Sequence, residues 1–323
     1  MRFGYRPDQL ALRDAVRDLL ARHCPPTVVR DVPASGALWQ HLADMGLFGS
    51  AVGDGDGGLG LDEVDLVPVL EELGYAAVPL PVAETMAVAA PLLAAAGDPY
   101  GHLAGVLAGS TRVAIARRGG LVPYGQRADL VLVFDPPGGA RLVAPAGARV
   151  STVDLSLAAT RVGPAGGGLV TEDAALVEPA IDRADLATAA QQIGLARRML
   201  DLTTAYVTGR RQFGAPVGSF QAVQHHLANA LLALEFAAPM VGRAGWALAT
   251  GAPTRRRDVS VAVVLATEAA QTVARAAIQC HGAIGYTVEY DLNLYAKRTW
   301  ALAAICDIDA HLERVATSLG VLA

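Results

Sequence analysis

From Pro7 onward, Leu10, Leu12, Val16, Leu19 and Leu20 recur near helical spacing with charged residues between them, which predicts a helix. Residues 39–47 predict a short second helix and residues 62–73 a third. Between them residues 53–60 spell GDGDGGLG. The GxGxxG within it has no strand-turn-helix unit around it, so the segment reads as a tight surface turn and not a dinucleotide fingerprint. The texture changes at Thr111. Short β-branched runs at 113–116, 130–134, 141–144 and 149–153, separated by Gly, Pro and Asp and followed by the glycines 166–168, predict a small, mostly antiparallel β region. From Asp182 helices return. Ile193, Ala196, Leu200 and Val207 share one face of a first, and Val223, Leu227, Leu231 and Leu234 mark a second. Residues 261–283 and 307–319 predict a third and a fourth, with connections short enough for an antiparallel bundle. The expected fold class is α+β, with an N-terminal helical domain (1–110), a small central β domain (111–181) and a C-terminal four-helix bundle (182–323).

Composition narrows the class. With 53% hydrophobic and 18% charged residues over 323 positions, the chain has ample material for a core. Aromatics are only 5%, and the abundance of alanine beside Leu and Val favours closely packed helices over a β-sandwich. A net charge of −5 argues against sequence-independent nucleic-acid binding. The arginine clusters at 117–118, 197–198, 210–211 and 255–257 are short and read as solvated patches. The weakly charged stretch 75–97 is interrupted by Pro79, Pro81, Glu84 and Pro91, so no membrane span is expected there, and residues 1–19 lack the apolar core of a signal peptide. Cys24, Cys280 and Cys306 form no CxxC pair, which speaks against a disulfide framework or a zinc site. A cytoplasmic protein is expected.

No serine stands in a GxSxG elbow, and His225 and His226, adjacent on a helix, point to different faces and cannot clamp one metal. Two segments of the bundle are more specific. Arg210-Arg211-Gln212-Phe213-Gly214 ends its first helix, with Phe220-Gln221 opening the second, and Gln279-Cys280-His281-Gly282-Ala283-Ile284-Gly285-Tyr286 ends the third. In this order, after a small β domain, they resemble the RxxFG and QxxGGxGF signatures of the acyl-CoA dehydrogenase family, with Ala283 in place of a glycine. Gly46-Leu47-Phe48, residues 57–60 and Glu71-Glu72-Leu73-Gly74 extend the likeness through the N-terminal half.

The resemblance implies FAD as cofactor. Arg210 falls at the family's pyrophosphate-binding arginine, where a guanidinium fork suits paired phosphate oxygens. Gln212, Phe213, Gln221, Gln279, Gly282 and Ala283 fall at the positions that shape the turn and grip the adenosine half. In this family that grip is offered to the FAD of a neighbouring subunit, while the subunit's own β domain holds the flavin ring. Here the TEPxxGSD-like and GxKxWIT/S-like segments of that platform are missing: Val113-Ala114-Ile115-Ala116 runs through Arg117-Arg118-Gly119-Gly120 to Leu121 and then to 128–133. The family's catalytic carboxylate positions fall on Cys306, beside Asp307, and near Ala184, beside Asp185, while Glu289 matches a non-catalytic acid. Asp307 and Asp185 are therefore the candidate bases, or else a partner chain supplies one. The whole resembles the shorter, degenerate subunit of actinobacterial α2β2 acyl-CoA dehydrogenases. That implies a second dehydrogenase-like subunit, an acyl-CoA substrate (a steroid side-chain thioester among the candidates) and an electron-transfer flavoprotein as acceptor. Two rivals stay open: a self-sufficient homo-oligomeric dehydrogenase with Asp307 as base, and a flavin-free scaffold of the same fold.

Overall fold

The computed structural model describes residues 4–31, 35–117, 120–135, 139–163 and 167–321. The N-terminal layer comprises α1 (Pro7–His23), α2 (Pro26–Arg30), α3 (Gly36–Asp44) and α4 (Glu63–Tyr75). It continues in an apolar helical segment: α5 (Val82–Glu84), a π-turn (Thr85–Ala89) and α6 (Ala90–Ala95), then α7 (Leu103–Leu107). The π-turn lies just ahead of Pro91, whose missing N–H breaks the ordinary α ladder. Asp62 caps α4 by accepting from the backbone of Val64 and Asp65. The glycine-rich segment is a tight turn, with a 3₁₀ turn at Asp54–Asp56 and left-handed backbone at Gly57 and Gly60.

Among the described residues, β1 (Val113–Ile115), β3 (Leu130–Asp135), β4 (Gly139–Val143) and β6 (Gly168–Thr171) form a sheet in the order β1-β3-β4-β6. The first pair is parallel and the other two antiparallel. β2 (Leu121–Val122) pairs separately with β5 (Thr160–Arg161). Residues 149–153, expected as a strand, are not one. Val150 donates to the Ala159 carbonyl, and the chain then turns through the Asp154-capped 3₁₀ turn Leu155–Leu157. The expectations for Arg118, Gly119 and Gly166 lie outside the described residues.

The bundle begins earlier than expected. α8 runs Ala174–Gly209, so the boundary at 181/182 falls inside a helix that Asp173 caps and Pro179 does not break. After the hairpin β7 (Arg211–Gln212) and β8 (Ala215–Pro216) come α9 (Gln221–Ala249), α10 (Arg255–His281), α11 (Leu292–Ile305) and α12 (Ile308–Ser318). The helix expected at 307–319 is α12, and α11 is an addition. α10 lies at the centre, packed on α8, α9, α11 and α12, and Ala262, Ala266, Ala270, Ala274 and Ala277 keep it close to its neighbours. By length and composition the helices Gln221–Ala249 and Arg255–Tyr286 could cross a bilayer, which the view of 75–97 alone overlooks. In the second, 67% of the apolar window is buried in the bundle, against 39% in the first.

Candidate functional site

The C-terminus of α8, the N-terminus of α9 and the C-terminus of α10 meet at one end of the bundle. An aromatic stack ties the two C-termini together: Tyr206 of α8 lies 4.3 Å, ring to ring, from His281 of α10, and Tyr290 packs on the other partner at 4.9 Å. His281 donates through Nδ1 to the Ala277 carbonyl (2.8 Å), which leaves Nε2 to accept from the Tyr290 hydroxyl (3.2 Å). Burial lowers its pKa below the usual histidine value, which keeps the ring neutral at pH 7.

Around this stack stand the residues expected to grip a cofactor. Arg210 is the C-cap of α8, and Gln212, Phe213, Gln221, Gln279, Gly282 and Ala283 are all exposed with it. Among the described residues, the side chains of Arg210, Gln212, Gln221 and Gln279 make no hydrogen bond or ion pair within the chain. Phe213 and Gly214 both have positive φ (51° and 81°), the type I′ signature of a two-residue hairpin. A phenylalanine held left-handed and 93% exposed is backbone strain, offset inside the chain by an edge-on contact with Phe220 at 6.3 Å between ring centroids. Gly282, also at positive φ (66°), ends α10 where a Cβ would meet nothing within 4 Å, so its backbone is open to approach. The N-terminus of α9 carries no side-chain cap, leaving its N–H groups toward this same end.

The expected catalytic positions lie elsewhere, between the bundle and the β region. Asp185 is ion-paired with Arg117 at 2.9 Å, and His311 Nε2 stands 3.8 Å from it. Cys306 is buried, and burial pushes its thiol up to about 11 against the pull of Arg117. Asp307 is the N-cap of α12 and accepts from the Ala310 N–H at 3.3 Å, while Glu289 is exposed. Three residues here went unremarked as site residues in the sequence. Glu84 is partly buried, and burial pushes its carboxyl up to about 7, opposed by Arg117 and Arg298. Arg298, fully buried, donates to Asp154, to the Val78 carbonyl (2.9 Å), to the Tyr124 hydroxyl (3.0 Å) and to Ser156 Oγ (2.6 Å). Tyr124, in left-handed backbone, packs with Leu157 of the β region and Ala301 of α11. The gap lined by Ala83, Glu84, Ile115, Arg117, Thr188 and Leu302 measures about 10 Å³, room for one water at most. The polar end of the bundle therefore fits one part of a flavin dinucleotide. The gap beside Asp185 fits neither a flavin ring nor an acyl chain.

The arginine clusters also differ from expectation. Arg117 is 12% exposed in its ion pair, Arg255 and Arg256 pair with Glu178 and Asp182, Arg257 with Asp258, and Arg198 lies over Tyr75 and Tyr295. Their acidic and aromatic partners are mostly distant in sequence, and nothing in the local pattern announces them.

Residues 6–100 match the acyl-CoA dehydrogenase N-terminal domain and residues 175–305 the acyl-CoA dehydrogenase C-terminal domain. The chain is 33% identical over 305 residues to acyl-CoA dehydrogenase IpdE2 of Mycobacterium tuberculosis (strain ATCC 25618 / H37Rv), covering 92% of each. It is also 33% identical over 299 residues to acyl-CoA dehydrogenase FadE34 of the same strain, covering 86% of this chain and 41% of that one. Among solved structures, a Tcur3481-Tcur3483 steroid ACAD variant superposes with a TM-score of 0.83 at 28% identity, covering 97% of this chain and 98% of that one. The ChsE4-ChsE5 complex from M. tuberculosis gives 0.83 at 24% identity over the full length of both, a likeness of fold. The layers and these likenesses define a dehydrogenase of helical, β and helical parts. The chain belongs to the acyl-CoA dehydrogenase family, whose members are FAD-dependent oxidoreductases.

Proposed function

We propose that this chain is one subunit of a heteromeric acyl-CoA dehydrogenase and grips an FAD whose ring is held by its partner. The observation that carries the reading is the contrast between the two candidate regions. Polar side chains without internal partners crowd the bundle end, while the interior is filled by Tyr124, Arg298 and the Arg117–Asp185 pair. The chemistry FAD would supply when bound is acceptance of a hydride from the β-carbon of the acyl thioester, with a base removing the α-proton. In this division Arg210 pairs with the pyrophosphate, Gln212, Gln221 and Gln279 hydrogen-bond the adenosine half, and Phe213 covers it. Gly282 and Ala283 admit close backbone approach. The partner supplies the base. Asp185 is ion-paired with Arg117 and enclosed beside a gap too small for substrate, and Asp307 is engaged at a helix cap.

The likeness to a steroid dehydrogenase pair supports a CoA thioester of a bulky, steroid-class acyl group as substrate. The family chemistry further calls for an electron-transfer flavoprotein as acceptor. The test is Arg210→Ala in the co-expressed complex, with flavin read from its absorbance per heterodimer and assembly from native mass. Loss of a charge-assisted contact to pyrophosphate is worth roughly 1.5–3 kcal/mol, so FAD affinity is expected to fall by about tenfold or more with assembly intact. Unchanged flavin occupancy would refute the proposed grip.

A further inference from the structure

A cavity of about 710 Å³ opens between α2, the segments 126–127 and 149–158, and the first half of α11. It shares no residue with the bundle-end cluster. Arg127, Arg149 and Lys297 line it, and Lys297 is the only lysine in the chain. Arg127 donates to the Pro79 carbonyl and Arg149 to the Leu155 carbonyl (2.9 Å), so neither is satisfied by an acid. Lys297 has no hydrogen bond or ion pair with any described residue. The other charges on the wall are mostly answered already: Arg30 by Asp291 at 2.7 Å, and Asp154 by the buried Arg298. Among the described residues, Asp31 is the one remaining carboxylate on a wall with three cations. Burial, with Arg298 and Arg149 adding to it, pushes Arg127 down to about 10 against the opposing pull of Tyr124 and Asp154. The rest of the wall is apolar, through Val29, Val153, Leu155 and Leu294.

We propose that this cavity binds an organic phosphate of nucleotide size, its phosphates meeting Arg127, Arg149 and Lys297 and its ring lying against the apolar wall. The volume is within the usual range for small-ligand sites. Guanidinium forks beside an ammonium suit a group with two or more negative charges, and the apolar wall favours a nucleotide over a bare anion. The single lysine makes the test specific. The full chain, in its native assembly, is treated with trinitrobenzenesulfonate, and modification of Lys297 is followed by peptide mass, with the α-amino group of the chain as internal reference. At about 1 mM ADP and a Kd on the order of 0.1 mM, labelling of Lys297 is expected to slow about tenfold while the α-amine is unaffected. Inorganic pyrophosphate should protect more weakly, and Arg149→Gln should abolish most of the protection. Equal labelling with and without ADP, or equal protection by sodium chloride at matched ionic strength, would overturn the proposal. So would protection by poly-glutamate but not by ADP, which would assign the cavity to an acidic polypeptide. Because the readout is Lys297 itself, none of these outcomes depends on whether Arg210 grips FAD.

Discussion

Burial pushes the Glu84 carboxyl from 4.5 up to about 7, with Arg117 and Arg298 resisting, and burial likewise pushes Glu71 up to about 7, with Arg197 resisting. In each case the folded protein holds a proton that the unfolded chain releases nearer 4.5. The stability these protons contribute is fully present below about 4.5 and is lost as pH rises through about 7. Each group should account for roughly 2–3 kcal/mol of the fall between pH 5 and 8. Glu84→Gln keeps the shape and removes the titration, so urea unfolding at a series of pH values should show a slope shallower by the roughly 2–3 kcal/mol that Glu84 contributes between pH 5 and 8. An unaltered slope would mean that Glu84 does not carry the proton. Little of this was legible in the sequence. Arg117 read as part of a solvated pair because its partner Asp185 lies 68 positions away and nothing local marks the contact. Arg210 and Gln279, by contrast, stand out in the sequence through a local pattern of residue types, and the proposal that they grip a cofactor rests on that pattern and on their exposure at one end of the bundle.

Helix packing depends on two close approaches. A Cβ at Gly74 of α4 would come within 2.6 Å of Gln191 Cα, and one at Gly194 of α8 would strike the Glu71 carbonyl and come within 2.6 Å of the Tyr75 nitrogen. The two helices thus cross nearly backbone to backbone. Gly194→Ala is expected to force them apart at a cost of about 1–3 kcal/mol in unfolding free energy, the range for overpacked cores. Gly242→Ala in α9 is the control. Its Cβ meets nothing within 4 Å, so the better helix former should be neutral or stabilising by up to about 1 kcal/mol. If both substitutions behaved alike, the crossing would not be tight. The same scale explains what sequence pattern missed. α11 is buried on nearly every side (Leu292, Asn293, Tyr295, Ala296, Arg298, Thr299, Ala301, Leu302), so it has no polar face to set a helical period. Pro179 and the acids that follow it hide the start of α8, although a proline in the second turn removes only one ladder bond. Residues 149–153 carry a strand-like composition but lack a neighbour to pair with along their length. The amphipathic helices of the N-terminal layer and the sheet strands 113–116, 130–134 and 141–144 were legible, because each has one buried face or a β-branched run.

At the scale of the whole molecule α9 stands largely outside the bundle from its start through its middle. Leu231, Leu232 and Phe236 are 49%, 55% and 76% exposed, while the equivalent stretch of α10 is enclosed. Large apolar side chains clustered on one helix mark a surface that meets another protein. Beside them a cavity of about 810 Å³ opens toward α4 and α8, its wall mixing Leu227, Leu231 and Leu234 with charged side chains such as Glu72, Arg197 and Asp201. Under the heteromeric reading, this face is where a subunit packs. Leu232→Glu with Phe236→Glu places two charges there without touching the core or the residues around Arg210. The expected outcome is a complex of smaller native mass, with the far-ultraviolet circular dichroism of the folded chain retained. Separation should also lower flavin content wherever the grip and the ring site are on different subunits, since neither half then holds the dinucleotide alone. A complex that keeps its mass with both charges in place would show that α9 faces solvent. A smaller species that keeps one FAD per chain would show instead that the interior accommodates a flavin despite Tyr124 and Arg298, and the shared-site reading would fall with it.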